Sequence, residues 1–317
     1  MKVNKLLLPL LFAGVTAIAQ TPIKIKETAT TKHGPEKGSL IIIGGGANTP
    51  EIWAKFLELA GGKDKADIVV ITAATGDSAA YNKRSVERIK KEFGISKVTM
   101  LHTNNLTEAN SEQFIAPLKT ATGVYFDGGR QWRIADSYLN TLTHQAFFDV
   151  LNRGGVIVGS SAGASIQGSF LWRGDTKGPH ILIGDHTQGL GFLKNSAIDQ
   201  HLLKRNREFD LVDFIRKSPE LIGIGLDEST AIVVQRDTLE VLGKSYAVIY
   251  DHKTIVASSQ VADFSSDSNT SEDAPSVPAG PFFFLGSGQR YDLRNRKVIQ
   301  NNTRRQANSP AVNQTIK

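Results

Sequence analysis

Residues 155–163 have the sequence GVIVGSSAG, and no other stretch does more to define the fold of this chain. An apolar run that is closed by glycine is typical of a parallel strand buried on both faces and ending in a tight turn. The small residues that follow suit the start of a helix packed closely against its strand. The segment therefore predicts a strand–turn–helix unit, with the side chain of Ser161 projecting from the turn.

The same alternation extends to either side of this unit. Further strands are predicted at residues 40–43, 67–72, 98–101 and 124–126, and helices at residues 52–59, 80–93, 111–118 and 132–151. This order favours an α/β fold with a mostly parallel sheet and helices on both faces. After residue 221, short apolar segments separated by tight turns predict a C-terminal portion rich in β-hairpins.

Three glycine-bearing turns, at residues 44–46, 128–129 and 159–163, follow predicted strands. Ligands of parallel α/β sheets bind beyond the carboxyl ends of the strands, so we expect the functional site at that edge. The first turn lacks the third glycine of a dinucleotide-binding motif, and no phosphate-binding loop or zinc-ligand spacing occurs. We therefore expect neither a metal nor a cofactor.

The first 19 residues have the features of a secretory signal peptide. Lys2 and Lys5 precede an apolar run at residues 6–18, and residues 17–19 form an A-x-A cleavage pattern. The apolar run is shorter than the roughly 20 residues of a membrane-spanning helix. We predict cleavage after Ala19 and a secreted or periplasmic protein with no membrane attachment after cleavage.

The mature chain is predicted to form one main folded domain. A polar leader at residues 20–38 precedes a single α/β domain at residues 39–300, which contains an exposed loop at 262–281 and is followed by a polar tail at 301–317. The 317-residue chain has no cysteine, which excludes disulfides and thiolate chemistry. Its formal charge of +6 falls by two to +4 without the signal peptide, and no aromatic or nucleic-acid motif accompanies the basic segments. We expect no nucleic-acid partner, and a homodimer is compatible with such a fold.

Ser161 is the candidate nucleophile because it occupies the centre of a G-x-S-x-G turn between strand and helix. The N–H of Ala162 would begin the helix, where a developing oxyanion is stabilised. Gly128 and Gly129 form a second turn whose bare backbone N–H groups can approach a substrate closely. These three residues are the predicted oxyanion hole.

A serine nucleophile needs a base, and His201 is the candidate among seven histidines because an acid, an amide and three cations lie within residues 199–207. The same segment is compatible with a surface helix that carries solvated charges. The carboxylate that orients the base is Asp227 or Glu228, both between short apolar strands. Asp175 and Asp185 precede His201, as the acid of an ordinary esterase does.

Five motifs occur together in order: GGG at residues 44–46, GGRQ at 128–131, GSSAG at 159–163, DQHLLKRNR at 199–207 and DESTA at 227–231. With them the chain resembles the serine peptidases of the cyanophycinase and aspartyl dipeptidase group, from about residue 38 to about residue 250. The resemblance implies a class I glutamine amidotransferase-like (flavodoxin-like) fold. It also implies that Ser161 is the nucleophile, His201 the base and Glu228 its orienting acid, and that substrate is held by Gln131, Asp199, Gln200, Arg205 and Arg207.

The function implied by this resemblance is that of an exported serine-type exopeptidase. It would hydrolyse cyanophycin, a polyaspartate with arginine on its β-carboxyls, to β-Asp-Arg dipeptides through an acyl-enzyme. The alternatives are a β-aspartyl or Asp-X dipeptidase, and a catalytically dead secreted binding protein on the same fold. The chain departs from the family pattern at Arg130, at Ala47-Asn48 and at the acidic residues of segment 208–210, which leaves the peptide preference open.

Overall fold

The computed structural model describes residues 31–46, 49–76, 79–261 and 281–300. The predicted signal peptide, the polar tail, Ala47-Asn48 and nearly all of the loop at 262–281 lie outside the described residues. Of the polar leader, residues 31–38 are described. His33 within them is fully buried, and its Nδ1 lies 3.1 Å from the Lys194 carbonyl, so this part of the leader packs into the domain.

Strands and helices alternate through the first half of the described chain. The strands are β1 (Ser39–Ile43), β2 (Ile68–Ile71), β3 (Val98–Leu101), β4 (Gly123–Phe126), β5 (Val156–Ser160), β6 (Gly168–Phe170), β7 (Leu193–Gln200), β8 (Ile222–Leu226), β9 (Thr230–Gln235), β10 (Thr238–Gly243), β11 (Ala247–Tyr250), β12 (Phe282–Leu285), β13 (Arg290–Asp292) and β14 (Lys297–Ile299). The α-helices are α1 (Pro50–Leu59), α2 (Ala79–Phe93), α3 (Leu106–Ala109), α4 (Glu112–Ile115), α5 (Gln131–Tyr138), α6 (Leu142–Asn152), α7 (Ala162–Ser165), α8 (Val212–Lys217) and α9 (His252–Val261).

The larger sheet has the strand order β14-β13-β10-β9-β1-β5-β4-β2-β3. Strands β1 to β5 run parallel to one another, whereas β9 pairs antiparallel with β1 and, with β10, β13 and β14, continues the sheet as antiparallel hairpins. Strand β1 joins the two halves, because Ile43 is in register with Ser160 of β5 on one side and with Ala231 of β9 on the other. The segments that follow β1 and β5 therefore meet the turn that precedes β9.

Helices cover both faces of the parallel strands. Alternate residues of β1 contribute to different clusters: Leu40 and Ile42 pack on the face of α5 and α6, and Ile41 and Ile43 on the face of α1 and α2. This two-sided burial explains the uninterrupted apolar sequence of β1 from Leu40 to Ile43, since neither face is exposed to water. The α/β prediction is confirmed, and so is the hairpin-rich C-terminal portion.

Three features of the fold differ from the sequence-based expectation. A separate sheet, with the order β12-β11-β8-β7-β6, packs beside the first. The single helix predicted at residues 132–151 is divided into α5 and α6, because Asn140 adopts a left-handed φ of 58° and the Thr141 side chain caps α6. Residues 199–207 are not a surface helix: they contain the end of β7, a left-handed His201 and a short 3₁₀ turn.

No helix within the described ranges has the length and apolar character needed to span a bilayer.

Candidate active site

Ser161 lies at a strained turn between β5 and α7. Its φ of 56° and ψ of −113° are unfavourable for a residue with a Cβ atom. Gly159 and Gly163 allow the turn to close, because a Cβ on Gly159 would lie 1.9 Å from the Gly163 carbonyl oxygen. The Ser161 N–H donates to the Ile43 carbonyl (3.0 Å), which ties the turn to β1. The sharp turn projects the hydroxyl away from the strand, as a nucleophile elbow requires.

His201 and Glu228 form a hydrogen-bonded line with Ser161. The distance from Ser161 Oγ to His201 Nε2 is 2.8 Å, and His201 Nδ1 lies 2.7 Å from Glu228 Oε1. His201 follows the last residue of β7, and Glu228 lies in the turn between β8 and β9. Three segments that are distant in sequence thus bring together a hydroxyl, an imidazole and a carboxylate in the arrangement of a catalytic triad.

The glycine turn after β1 forms the surface against which this line is packed. A Cβ on Gly45 would lie 2.3 Å from His201 Cε1, and a Cβ on Gly46 would lie 2.9 Å from Glu228 Cβ. The Gly44 carbonyl also accepts the His201 N–H (2.9 Å). The sequence did not reveal that Gly45 and Gly46 lie against His201 and Glu228, because the three-glycine motif indicates a turn but not what it contacts.

The electrostatic surroundings of His201 favour a neutral imidazole. Burial lowers its pKa below the ordinary 6.5, the hydrogen bond to Glu228 raises it, and the positive charges of Arg205 and Arg207 lower it further. The net effect is a lowered pKa, so the ring is unprotonated at neutral pH and has a lone pair available for the proton of Ser161.

Glu228 and Asp227, the two carboxylates left open by the sequence, have different partners. Glu228 contacts His201, whereas Asp227 Oδ1 accepts the Lys204 backbone N–H (3.0 Å) and its Oδ2 accepts the Ser245 hydroxyl (2.7 Å). The geometry therefore favours Glu228 as the residue that orients the imidazole. Asp227 ties the 3₁₀ turn after His201 to the turn that carries Glu228.

The acids that precede His201 in the chain are engaged elsewhere. Asp175 accepts the backbone N–H groups of Lys177 (2.7 Å) and Asp185 (3.2 Å). Asp185 bonds to the Thr176 hydroxyl and lies 2.8 Å from His186 Nδ1. Since Nδ1 and Nε2 of His201 already have partners, the arrangement of an ordinary esterase, with an earlier acid on the base, is not the one adopted.

The predicted oxyanion donors lie in the two turns next to Ser161, and the N–H of one of them already has a partner. A Cβ on Gly128 would lie 3.9 Å from Ser161 Oγ, so the turn at 128–129 is adjacent to the nucleophile. The Gly128 N–H donates to Asp127 Oδ1 (2.9 Å). Gly129 is exposed, and Ala162 is the first residue of α7, where helix N–H groups have no intrahelical acceptor. Gly129 and Ala162 are therefore better placed than Gly128 to supply donors without rearrangement.

Two of the predicted substrate-binding residues have buried partners within the protein. Gln131, only 3% exposed, donates its side-chain amide to the carbonyls of Trp172 (2.9 Å) and Arg173 (3.0 Å). Asp199 is fully buried and forms an ion pair with Arg173 (2.9 Å). These contacts tie α5 and the end of β7 to the segment after β6.

Gln200 and Arg207 are paired with each other, whereas Arg205 is exposed. Arg207 Nη1 donates to the Gln200 carbonyl (2.9 Å) and to its Oε1 (3.0 Å), and burial is the main cause of the lowered pKa of Arg207. Arg205 is exposed, and its charge acts on His201. Within the described ranges Arg205 forms no ion pair, so its guanidinium is available to an anionic ligand.

Among the described side chains, no group of three or more His, Asp or Glu residues is arranged to hold a metal ion.

Comparison with known proteins gives consistent matches. The model of peptidase family S51 matches residues 40–242. A cyanophycinase of Synechococcus elongatus is 29% identical over 277 residues, which cover 85% of this chain and 83% of the relative. A cyanophycinase of Trichormus variabilis is 33% identical over 223 residues, covering 68% and 74%. The crystal structure of a peptidase from an acI-B1 actinobacterium shares the fold, with a TM-score of 0.60 at 21% identity over 81% of this chain and 97% of that one.

Proposed function

The chain belongs to peptidase family S51, and from this premise we propose that it is a serine-type peptidase that hydrolyses cyanophycin to β-Asp-Arg dipeptides. The observation that carries the proposal is the line Ser161–His201–Glu228, with hydrogen-bond distances of 2.8 and 2.7 Å. A protein that only binds has no need for a hydroxyl, a neutral imidazole and a carboxylate in this order.

The proposed chemistry is acyl transfer. His201 accepts the proton of Ser161 as Oγ attacks the scissile carbonyl carbon, and Glu228 stabilises the imidazolium that forms. The N–H groups of Ala162 and Gly129 stabilise the oxyanion. His201 then protonates the leaving amine as the C–N bond breaks. In the second half of the cycle, water attacks the acyl-enzyme with His201 again as base, and Ser161 is restored.

The substrate is proposed from the relatives and from the charge beside the triad. The relatives named above are cyanophycinases. Every arginine of that polymer carries a free carboxylate as well as a guanidinium. The exposed guanidinium of Arg205 can form a bidentate pair with such a carboxylate. The buried residues Asp199, Gln200 and Arg207 would then position the loop that presents Arg205 and His201.

Export is part of the proposal and depends on residues 1–19, whose charged start, apolar run and A-x-A end are typical of a signal peptide. An exported enzyme of this kind would meet the insoluble polymer outside the cell. N-terminal sequencing of the mature protein from culture medium and periplasm tests both the cleavage after Ala19 and the compartment.

The decisive experiment is hydrolysis of purified cyanophycin by the mature protein, with products identified by mass. Ser161→Ala should abolish release of β-Asp-Arg, while Ser160→Ala, a change at the buried neighbouring serine, should retain it. Cleavage of short β-aspartyl or Asp-X dipeptides without cleavage of the polymer would assign the chain to the dipeptidases. Absence of both activities in folded protein would refute the enzyme and favour a binding protein.

A further inference from the structure

Four aromatic side chains form a continuous row on the surface: Phe209, Phe282, Phe284 and Tyr246. Successive ring centroids along the row are 5.5, 5.3 and 5.6 Å apart. Phe209 is 67% exposed, Tyr246 48% and Phe284 45%. Exposed apolar patches that are contiguous, unlike scattered single residues, mark binding surfaces. We call these four residues the aromatic row.

The sequence of β12 explains why two of the rings point outward. Its four residues are FFFL, and alternate side chains of a strand face opposite sides. Phe283 and Leu285 pack on the main core, so Phe282 and Phe284 lie together on the other face. Phe282 is fixed by its contact with the buried ring of Tyr250, at a centroid distance of 5.3 Å. Phe282 is therefore half-buried against the cluster around Tyr250, and the other three rings of the row are exposed.

Both ends of the row are attached to segments that carry the triad. Phe209 lies in the loop that follows His201, two positions after Arg207. At the other end, the Tyr246 carbonyl accepts the backbone N–H of Asp227 (3.3 Å), the residue next to Glu228. Both ends of the row are therefore linked through the backbone to the segments that carry His201 and Glu228.

Glu208, which immediately precedes Phe209 of the row, has a side-chain oxygen without a hydrogen-bond donor in the described part of the chain. Glu208 Oε2 is buried and has no hydrogen-bond partner among the described residues. The Glu208 carbonyl accepts the Tyr250 hydroxyl (2.7 Å), which places this residue against the ring that supports Phe282. A buried carboxylate oxygen without a donor is unfavourable. Glu208 as a whole is only half-buried, so a rearrangement of its side chain would let an incoming cationic donor bind the carboxylate and remove that cost.

We propose that the aromatic row, together with the Glu208 carboxylate, is an accessory site that binds guanidinium side chains of the polymer and holds it beside the triad. Aromatic faces attract guanidinium groups, and an unpaired carboxylate selects a cation over an apolar partner. The assignment rests on the proposed function, since cyanophycin presents one guanidinium on each repeat. The exposed Lys204 and Arg205 on the same loop would pair with the carboxylates of those repeats.

Binding can be measured without cleavage. In the Ser161→Ala background, the protein is sedimented with cyanophycin granules and the bound fraction is measured. Phe209→Ala, Phe284→Ala and Glu208→Gln should each weaken retention about two- to tenfold, the range of a cation–π or charged contact. Glu208→Gln keeps the shape of the side chain but removes its charge, so a loss of retention in this variant is due to the charge. Leu106→Ala, which removes a side chain 53% exposed on α3, is the matched control and should leave retention unchanged.

Hydrolysis by the otherwise wild-type enzyme separates the two proposals. The row variants should raise KM for the polymer by a larger factor than KM for the soluble trimer of β-Asp-Arg. Equal retention and an equal KM ratio in all variants would overturn the accessory site while leaving the hydrolytic function intact. Absence of hydrolysis by the wild type would instead refute the proposed function. A dimer that becomes monomeric in Phe209→Ala, measured by sedimentation velocity, would assign the row to a second copy of the chain and overturn the proposal.

Discussion

Replacing Gly45 by alanine should disable the triad without removing any of its members. The new Cβ would lie 2.3 Å from His201 Cε1 and 2.7 Å from His201 Nδ1, whereas ordinary contacts begin near 3.5 Å. The imidazole must therefore move by about 1 Å, and a displacement of that size at a catalytic group costs on the order of 100-fold in rate. The backbone adds strain, because Gly45 has a φ of +120°. Such strain costs about 1–3 kcal/mol.

The assay measures kcat with cyanophycin as substrate, and urea unfolding of the same preparation measures the free energy of unfolding. Gly154→Ala is the matched control: Gly154 has a φ of +91°, but a Cβ there has nothing within 4 Å. Both variants should lose similar stability, and only Gly45→Ala should lose activity. Wild-type kcat in folded Gly45→Ala would refute the claim that the glycine turn positions His201. An equal loss of kcat in Gly154→Ala would show that strain alone explains the effect.

Three further predictions concern charge. Glu228→Gln should lower kcat by about 10⁴-fold, because an amide neither holds the tautomer nor stabilises the imidazolium, while Asp185→Asn should have no effect on kcat. The value of kcat/KM should fall as the pH is lowered through an apparent pKa below 6.5. The reason is that the pKa of His201 is lowered and that its protonated form cannot act as a base. A midpoint above pH 6.5 would contradict this. Asp199→Asn should lower the free energy of unfolding by about 3 kcal/mol, measured in urea, because it leaves Arg173 buried without its main charge partner.

The parallel core was predictable from sequence because burial on both faces leaves a simple pattern. Residues 40–43 of strand β1 are an uninterrupted apolar run, and β5 ends in the G-x-S-x-G turn. Strand β7, with the sequence LKNSAIDQ, was not predicted although most of it is buried. Its polar side chains find partners only in the folded protein, as Asp199 does with Arg173. The local pattern of one sequence cannot indicate that a buried carboxylate will form an ion pair with a residue 26 positions away.

Part of the candidate site was also predictable, where its geometry depends on residues that are adjacent in sequence. The position of Ser161 follows from a local motif, since the turn geometry depends on adjacent glycines. The choice of Glu228 over Asp227 depends on the turn between β8 and β9, where neighbouring carboxylates diverge: one meets His201 and the other meets Lys204 and Ser245. Contacts of this kind between separate segments are set by packing and leave no periodic trace in the sequence.

The segment 199–207 combines two tasks that a motif alone does not separate. Its acid, amide and second arginine bind one another or Arg173 and are buried. This buried network anchors the chain on both sides of His201, whose φ of 53° requires support from its surroundings. The buried imidazole is thereby held against Ser161, and Arg205 is held exposed to solvent. Loss of the network should therefore impair catalysis through displacement of His201, whereas loss of Arg205 should raise KM and leave stability unchanged.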